Sequence, residues 1–411
     1  MPKLIQLNVS ANWGSTGQIS ELCNQYAAQK GWEVYAAYGR YKNPGQSQLI
    51  CTSRKLDVYE HYVEHRFFDN EGLASRGSTK QLIKEIERIH PDIVHLHNIH
   101  DHWLNYRILF EYLNQTNIKV VWTFHDFWAI TGHCAHFVGF GCDKFKSECD
   151  NCLVTKGKLL PILKQANRNF NLKKMLFTAN RNLHIVAVSD WVSENVAKSF
   201  LKSKDLRVIY NGVDTDIFKP TNIDALPNQS NKLKFFLKYV ENKYVIMAVS
   251  SQWKSHSKGL NDYKRMAKIL KEDEIVVLVG VPDEISKSFP QNIIGVKRTN
   301  NQRELAVLYT RADVVISLSS AETFGLTIIE GYACGTPAVV YNNTAQPALV
   351  TPETGYVVEN HNWQSAYDAI QHIRKNCKAH YSEACLTLVR EKYNKNRCYE
   401  KYYELYNSLI K

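Results

Sequence analysis

The feature of the sequence that most constrains the fold is an alternation of short aliphatic runs with helical periodicity along the whole chain. This order is typical of parallel sheets, because a parallel connection needs a crossover and a helix supplies it. The first series of predicted strands lies at 3–9, 33–38, 92–97, 119–124, 184–188 and 207–210. The second series lies at 243–249, 274–279, 313–318 and 337–341. Predicted helices include 17–30, 80–90, 190–201, 260–270, 301–311, 325–334 and 363–374.

A break in the pattern separates the two series. The Asn-Gly pair at 211–212, Pro220 and the polar segment 227–232 are typical of turns and linkers. The sequence therefore predicts an α/β protein of two doubly wound, Rossmann-like domains that divide near residue 212. Because ligands of such sheets bind beyond the carboxyl ends of the strands, we expect both domains to face a central cleft.

Composition and length exclude several classes of protein. The 411 residues are 44% hydrophobic and 22% charged, which is typical of a folded globular protein. Residues 1–7 lack the pattern of a secretory signal, and apolar runs such as 275–279 are far shorter than the ~18 residues of a membrane span. We therefore expect a cytoplasmic protein. The net charge of +11 favours an anionic partner, but it does not choose among nucleic acid, a membrane surface and an anionic substrate.

The most informative segment runs from Ser317 to Pro337. A buried strand is predicted to end near Ser319 and a helix to begin near Gly325, where free backbone N–H groups favour a phosphate. Glu322 lies in the turn and Glu330 lies inside the helix, so a diphosphate with a sugar at each end fits between them. The alternative is that Glu322 caps the helix and Glu330 forms a surface salt bridge.

This segment resembles the retaining glycosyltransferases of family 4, in which a Glu-x7-Glu pair occupies such a strand, turn and helix. The resemblance covers almost the whole chain, at 208–220, 257–260, 298–314 and, in the first half, 91–100 and 123–128. The segments in the first half resemble the bacterial capsule and exopolysaccharide branch. The resemblance implies the GT-B fold, with an acceptor-side domain at 1–211 that a C-terminal helix at 393–411 completes. It also implies a nucleotide-sugar donor-binding domain at 212–392.

The resemblance assigns a role to each residue of the donor site. Glu322 would hold hydroxyls of the donor sugar, Glu330 the ribose diol, and Lys258 the diphosphate. An arginine that the family usually has before this lysine is missing from 251–257, and Lys254 is the candidate to replace its charge. The remaining donor contacts that we expect are Gly14, Ser15, Thr16, Gly17, Arg298, Thr323, Phe324, Gly325 and Leu326.

A histidine that ends a predicted strand of the first half is the second catalytic candidate. His125 matches a His-Asp motif that points at the transferred sugar in the family, and Asp126 either orients it or caps a helix. Retaining transfer needs stabilisation of the leaving group and hydrogen bonds to the sugar more than a strong base. Because Lys258 and a helix N-terminus supply positive partners, we expect metal-independent transfer. The Asp-x-Asp spacing at 214–216 then belongs to a linker turn and not to a metal site.

Four cysteines lie close together, at Cys134, Cys142, Cys149 and Cys152. The final Cys-x2-Cys spacing suits one tetrahedral structural zinc, although the first two spacings are irregular. Reduced cysteines in a loop and oxidised pairs formed after purification are the alternatives.

Residues 153–181 form a basic, amphipathic segment with no acidic residue. Its basic residues are Lys156, Lys158, Lys164, Arg168, Lys173, Lys174 and Arg181. An anionic membrane surface would bind such a segment, and a solvated helix face with an apolar core side is the alternative. No recognised nucleic-acid-binding module occurs, so we expect no nucleic-acid partner.

These patterns together predict a retaining glycosyltransferase at the inner face of the cytoplasmic membrane. It would move a sugar from a nucleoside-diphosphate sugar to a growing cell-surface polysaccharide or a lipid-linked glycan. Transfer needs no cofactor in this interpretation. A non-catalytic nucleotide-sugar-binding component of a polysaccharide assembly complex and a sugar-nucleotide epimerase are the competing interpretations.

Overall fold

A computed structural model describes residues 1–153, 161–221 and 231–411 of the chain. Lys156 and Lys158 of the predicted membrane segment, and most of the predicted linker 227–232, therefore lie outside the described residues. The described chain divides into two compact units. The first unit is Met1–Tyr210 with Asn396–Lys411, and the second is Asn211–Lys395.

Strands and helices alternate in both units. The strands are β1 (Lys3–Ala11), β2 (Glu33–Lys42), β3 (Gln48–Cys51), β4 (Ile93–Leu96), β5 (Lys119–Phe124), β6 (Leu183–Ala187), β7 (Asp205–Val208), β8 (Tyr244–Val249), β9 (Glu274–Val279), β10 (Ile293–Val296), β11 (Val314–Ser317), β12 (Ala338–Tyr341) and β13 (Gly355–Val358). The helices are α1 (Gly14–Gln29), α2 (Lys55–Phe68), α3 (Arg76–Ile89), α4 (Tyr106–Leu113), α5 (Ala166–Ala179), α6 (Asp190–Ala197), α7 (Asn231–Tyr239), α8 (Leu260–Met266), α9 (Asp283–Ser286), α10 (Gln302–Arg311), α11 (Leu326–Ala333), α12 (Trp363–Asn376), α13 (Lys378–Leu388) and α14 (Lys395–Ile410).

Each unit contains one parallel sheet of the doubly wound type. The strand order is β3-β2-β1-β4-β5-β6-β7 in the first unit and β10-β9-β8-β11-β12-β13 in the second. The order reverses between β1 and β4 and again between β8 and β11, and ligands bind at such switch points. The predicted fold class, two Rossmann-like parallel sheets, is confirmed.

Three strands were missing from the sequence prediction, namely β3, β10 and β13. Each has four residues and lies at the edge of its sheet. Central strands such as β9 are buried along their whole length, whereas β3 has no buried residue. A strand that is buried on both faces has a continuous apolar run, and a short, half-exposed edge strand does not.

The last helix of the chain, α14, packs into the core of the first unit. One of its faces presents Tyr399, Tyr402, Leu405 and Tyr406 to a buried cluster that also contains Leu4 and Val121. A helix with such an apolar stripe is stable only when that stripe is covered. The first sheet provides the cover, although about 180 residues of the second unit separate α14 from the rest of its own unit.

One basic residue of the predicted membrane segment is buried and not on the surface. Lys173 lies on α5 and is 1% exposed, so it cannot contact a membrane surface. Its ammonium donates hydrogen bonds to the carbonyl oxygens of Trp128 (2.7 Å) and Thr131 (3.1 Å). The prediction for this residue is wrong, because its charge serves to fix the loop after β5. Phe170, Leu176 and Phe177 are likewise buried in the core.

The described residues contain no helix that is both long enough and apolar enough to span a bilayer.

Candidate functional site

Two loops meet at the switch point of the second sheet. The loop after β8 carries Ser257, and the loop after β11 carries Ser319 and Ser320. The Ser257 carbonyl oxygen accepts hydrogen bonds from the Ser320 N–H (2.7 Å) and from the Ser319 hydroxyl (3.0 Å). These contacts join the two loops directly beyond the carboxyl ends of β8 and β11.

A glycine makes this close approach possible. Gly259 has a φ of +68°, and a Cβ atom at this position would lie 2.2 Å from the Leu318 carbonyl oxygen. A side chain would therefore push the two loops apart. The Lys-Gly pair of the sequence motif thus has a physical reason, since the glycine holds the lysine against the loop of Glu322.

Lys258 and Glu322 form an ion pair at this switch point. Lys258 Nζ lies 2.5 Å from Glu322 Oε1, and the two side chains are 18% and 26% exposed. The backbone of Glu322 is fixed by a hydrogen bond from its N–H to the Thr344 hydroxyl (2.9 Å). Two residues predicted for the donor site are therefore together, and a ligand has access to both.

Glu330 lies in the second half of α11 and is only 8% exposed. The Tyr309 hydroxyl, from α10, donates a hydrogen bond to Glu330 Oε2 at 2.9 Å. Burial raises the pKa of Glu330 to about 7, although the bond from Tyr309 lowers it somewhat. The pairing of Tyr309 with Glu330 was not predicted, because the two residues are in different helices and meet only when α10 packs on α11.

Helix α11 begins directly after the loop of Glu322. Gly325 precedes it with a φ of +108°, and no side chain caps the helix start. The first N–H groups of the helix therefore point towards the loop that holds the ion pair. Thr323 is partly buried, Phe324 is buried against the ring of Tyr393, and Leu326 begins the helix. Phe324 thus offers a ligand its backbone and not its ring.

The other two predicted basic contacts are exposed side chains. Lys254 Nζ pairs with Glu284 Oε1 at 2.7 Å, and both side chains are largely exposed. Arg298 is exposed after the edge strand β10. The structure therefore pairs Lys258 with Glu322 and Lys254 with Glu284.

In the first unit, the expected donor contacts at 14–17 form the first turn of a helix. Helix α1 begins at Gly14, three residues before the predicted start, so Ser15, Thr16 and Gly17 are helical. A Cβ atom on Gly17 would lie 2.9 Å from Ser10 Oγ and 3.0 Å from Ser10 O. The glycine allows the helix start to lie against the end of β1, at the switch point beside β4.

His125 follows β5 and forms part of a buried chain of hydrogen bonds. His125 Nε2 lies 2.9 Å from His97 Nδ1, and His97 Nε2 lies 2.7 Å from Gln6 Oε1. Because the Gln6 oxygen only accepts, His97 Nε2 carries the proton and His97 Nδ1 is an acceptor. His125 Nε2 must then be the donor, which fixes the tautomer of the predicted catalytic histidine.

Burial keeps these rings neutral. It lowers the pKa of His125 to about 4 and holds the pKa of His97 well below its usual range. The ring of His95 packs on that of His97, with centroids 4.2 Å apart, and its two nitrogens contact the Tyr406 hydroxyl (2.7 Å) and the Thr123 hydroxyl (2.8 Å). Helix α14 therefore supplies part of the support for His125.

The described contacts of Asp126 are with His100 and with the turn that follows it. Its Oδ2 pairs with His100 Nε2 at 2.8 Å, and its Oδ1 accepts a hydrogen bond from the Trp128 N–H at 2.9 Å. The bond from the Trp128 N–H fits the alternative interpretation, in which Asp126 caps the turn that follows. His97 is the orienting residue that the sequence interpretation missed. The signal was present, because His97 and His125 end neighbouring parallel strands.

The four clustered cysteines surround one pocket, whose lining also includes His133. Cys152 Sγ lies 3.5 Å from His133 Nε2, and Cys149 Sγ accepts a hydrogen bond from the Gly132 N–H at 3.3 Å. All four are free thiols in the structure. Among the described residues, the metal-ligating side chains that converge within 4.8 Å of one another do not include these cysteines. Zinc at the cysteines therefore stays a prediction.

The Asp-x-Asp pair of the linker turn is paired with a lysine. Lys395 Nζ lies 2.8 Å from Asp214 Oδ1 and 3.0 Å from Asp216 Oδ2. One ammonium group thus contacts both carboxylates within the second unit.

Two family models match the chain. The model of Glycosyltransferase Family 4 matches residues 14–217, and the model of Glycosyl transferases group 1 matches residues 229–384. The chain is 22% identical over 372 residues to the putative colanic acid biosynthesis glycosyl transferase WcaC of Escherichia coli, covering 86% of this chain and 87% of that protein. It is 24% identical to the O-antigen chain mannosyltransferase RfbU of Salmonella typhimurium, over 48% of this chain and 53% of that protein.

Solved structures resemble the chain over its whole length. A sucrose-phosphate synthase from Thermosynechococcus elongatus has a TM-score of 0.72 at 16% identity, covering 100% of this chain and 99% of that chain. The Anabaena protein HepE, in complex with UDP and glucose, has a TM-score of 0.65 at 14% identity, covering 99% and 100%. At these identities the likeness shows the fold alone.

Proposed function

Because this chain belongs to the family 4 glycosyltransferases and has their GT-B fold, we propose that it transfers a sugar from a nucleoside-diphosphate sugar with retention of configuration. The acceptor in this proposal is a growing cell-surface polysaccharide or a lipid-linked glycan, since two similar proteins are named for colanic acid and O-antigen synthesis. The ion pair of Lys258 and Glu322 at the switch point of the second sheet carries the proposal.

Lys258 is the proposed ligand of the donor diphosphate. In the ligand-free protein Glu322 neutralises its ammonium at 2.5 Å. A diphosphate would replace Glu322 as the partner of Lys258. It would also accept hydrogen bonds from the uncapped N–H groups at the start of α11. Positive groups that are fixed before the reaction stabilise the diphosphate as it leaves, so this arrangement serves transfer without a metal ion.

The two glutamates are assigned to the two ends of the donor. Once released from Lys258, Glu322 has a carboxylate that accepts hydrogen bonds from sugar hydroxyls. Glu330 is deeper in the unit and would accept hydrogen bonds from the ribose diol beside Tyr309. A diol donates two O–H groups, and both oxygens of one carboxylate accept them.

His125 is the proposed contact of the first unit with the reacting sugar. Its ring is neutral and His97 fixes its tautomer with the proton on Nε2, so Nδ1 would accept a hydrogen bond from a sugar hydroxyl and the ring carries no positive charge. A neutral, oriented hydrogen-bonding group suits a sugar that develops oxocarbenium character, since a cation would repel it.

The test is a panel of nucleotide sugars and acceptors in which release of nucleoside diphosphate is measured. We expect Glu322→Ala and Lys258→Ala to reduce turnover about 100-fold or more, as removal of a charge-stabilising group typically does. Glu383→Gln is the matched control, because it removes a carboxylate from an exposed ion pair with Arg390 in the same unit. Lys254→Ala shows whether that lysine replaces the missing arginine.

Wild-type rates in Glu322→Ala would contradict the role of this residue. Binding of a donor without turnover for every acceptor would instead favour a non-catalytic nucleotide-sugar-binding component. Conversion of a donor without any acceptor would indicate an epimerase.

We also propose that the protein binds the inner face of the cytoplasmic membrane peripherally. An exposed apolar surface consists of Phe67, Phe68, Ile162 and Leu163, whose side chains are 47–57% exposed. Backbone hydrogen bonds from the N–H groups of residues 162 and 163 to the carbonyl oxygens of residues 66 and 67 hold this surface together. Lys164 beside it is exposed, so apolar and cationic groups are adjacent, as anionic lipid requires.

Co-sedimentation with anionic vesicles tests this surface. We expect the wild type to sediment at low salt and to be released at about 0.5 M salt, where charges are strongly screened. Replacing Phe67, Ile162 and Leu163 with serine should abolish sedimentation but keep turnover on a soluble acceptor. Phe235→Ser, which changes an exposed phenylalanine of the second unit, is the control. Unchanged sedimentation of the triple variant would refute the assignment.

A further inference from the structure

Three side chains from separate segments of the first unit converge near the loop that follows β4. His65 lies in the last turn of α2, Glu71 follows that helix, and His102 lies between β4 and α4. The distance from Glu71 Oε2 is 3.0 Å to His102 Nε2 and 3.6 Å to His65 Nδ1. All three ligand atoms lie within 4.8 Å of one another.

The two histidine nitrogens are close to the carboxylate but are not hydrogen-bonded to it. His65 Nδ1 and His102 Nε2 are both buried atoms without a hydrogen-bond partner. Leaving two such nitrogens unsatisfied is costly. Short distances without hydrogen-bond alignment are expected when each lone pair points at a shared central ion and not at the neighbouring ligand.

The carboxylate is held so that one oxygen stays available. Glu71 Oε1 accepts hydrogen bonds from the backbone N–H groups of Asp101 (2.7 Å) and His102 (3.2 Å). These two residues have φ values of 75° and 63°, which residues other than glycine seldom adopt. The unusual backbone turns His102 towards Glu71, and an ion pair from Arg40 to Asp101 at 3.1 Å supports it.

A second histidine on α2 positions the segment of Glu71 without being a ligand. His61 Nε2 accepts a hydrogen bond from the Gly72 N–H at 2.8 Å, and His61 Nδ1 contacts the Ser75 hydroxyl at 2.9 Å. Both ring nitrogens are thus occupied. Fixed carboxylates and supporting hydrogen bonds of this kind are typical of the surroundings of metal ligands.

We propose that His65, Glu71 and His102 bind one zinc ion, a site that is separate from the donor site and from the four cysteines. Zinc–nitrogen and zinc–oxygen bonds are about 2.0–2.2 Å long, so two ligand atoms of a tetrahedral ion are separated by about 3.4 Å. The distances of 3.0 and 3.6 Å bracket this value. Two imidazoles and one carboxylate select zinc over magnesium, which prefers oxygen ligands alone.

Three protein ligands leave a fourth position of the ion for a water molecule. The ion would connect α2 to the segment that carries His97 and His100. Its role in this position is to hold that segment, which contacts both His125 and Asp126.

The experiment is calorimetric titration of the full chain with zinc chloride, in a Cys149→Ser/Cys152→Ser background that removes thiolate binding. We expect one zinc per chain and no heat with magnesium chloride. Glu71→Gln and His102→Gln should each weaken zinc binding about 100-fold or more, since loss of a supporting group alone costs 10–100-fold. His184→Gln is the control, because His184 pairs with Asp205 at 2.9 Å without a third ligand.

Folding of the variants is checked by circular dichroism and by thermal unfolding without metal. Glu71→Gln keeps the oxygen that accepts the two backbone N–H groups, so the loop is retained. Cobalt added to the same background should give the weak visible bands of nitrogen and oxygen ligands, and these bands should be absent in Glu71→Gln. If the background binds no zinc, or if Glu71→Gln and His102→Gln bind it as tightly as the background, the proposal is wrong and the residues form an ion pair only.

Discussion

The buried carboxyl group of Glu330 should make the protein less stable at high pH than a chain with an uncharged residue there. Glu330 is 8% exposed, and its one described hydrogen bond comes from the Tyr309 hydroxyl. Burial raises its pKa from the ordinary 4.5 to about 7. Replacement by glutamine keeps the size and the acceptor oxygen but removes the titration.

The direction follows from where the proton is held. Between pH 4.5 and about 7, the folded state keeps a proton on Glu330 that the unfolded chain has released. The contribution of Glu330 to stability is therefore fully present below pH 4.5 and is lost as pH rises to about 7. At about 1.4 kcal/mol for each pH unit, this loss is about 3 kcal/mol.

The assay is thermal unfolding of wild type and Glu330→Gln from pH 5 to pH 8. The advantage of the variant should grow by about 2–3 kcal/mol over this range. For a unit of this size, that corresponds to a rise in melting temperature of about 5–10 °C. A difference between the two proteins that is the same at pH 5 and pH 8 would refute the reasoning.

Glu274 provides a control of opposite sign. It is also buried, which by itself would raise its pKa, but hydrogen bonds from the Lys271 N–H, Gln371, Tyr367 and Arg374 outweigh burial and lower the pKa. Its stabilising contribution is therefore present above the ordinary pKa of a glutamate and is lost only as the pH falls below it. Glu274→Gln should reduce stability by a similar amount at pH 6 and pH 8.

Other substitutions separate positioning from structure. His97→Phe removes the hydrogen bond that fixes the proposed catalytic histidine, so kcat should fall about tenfold or more with little change in the KM of the donor, and His97→Gln should restore part of the loss. Gly259→Ala should cost at least about 2 kcal/mol in thermal unfolding, because of its positive φ and the contact at 2.2 Å, whereas Gly77→Ala, with nothing within 4 Å, should cost little. If the cysteines bind zinc, elemental analysis of the Glu71→Gln variant should find about one zinc per chain. Adding Cys149→Ser and Cys152→Ser should remove this zinc. A metal-free protein of unchanged stability would contradict the prediction.

Short-range patterns predicted the central strands and the position of the loop between β11 and α11. Strands such as β9 and β12 are buried along their whole length, so their apolar runs are visible in the sequence. The turn between β11 and α11 was predicted correctly because its strand, glycine and helix lie within about ten residues. Edge strands such as β13 were missed, since exposure of some residues leaves them no distinctive apolar pattern.

Short-range patterns also did not predict which charged residues are buried. Lys173 lies in a basic segment and has the spacing of an exposed residue, yet it is buried under the loop after β5. Nothing near it in the sequence marks the three carbonyl oxygens that receive its ammonium, because they are more than forty residues away.

The sequence by itself determined the alternation of strands and helices, the two sheets and the residues of the Glu-x7-Glu segment, because these depend on the properties of neighbouring residues. The tertiary structure alone decided which distant side chains meet. His95 and the Tyr406 hydroxyl are 311 positions apart and 2.7 Å from each other. His65, Glu71 and His102 converge for the same reason, since a doubly wound sheet brings the ends of its loops to one edge whatever their separation along the chain.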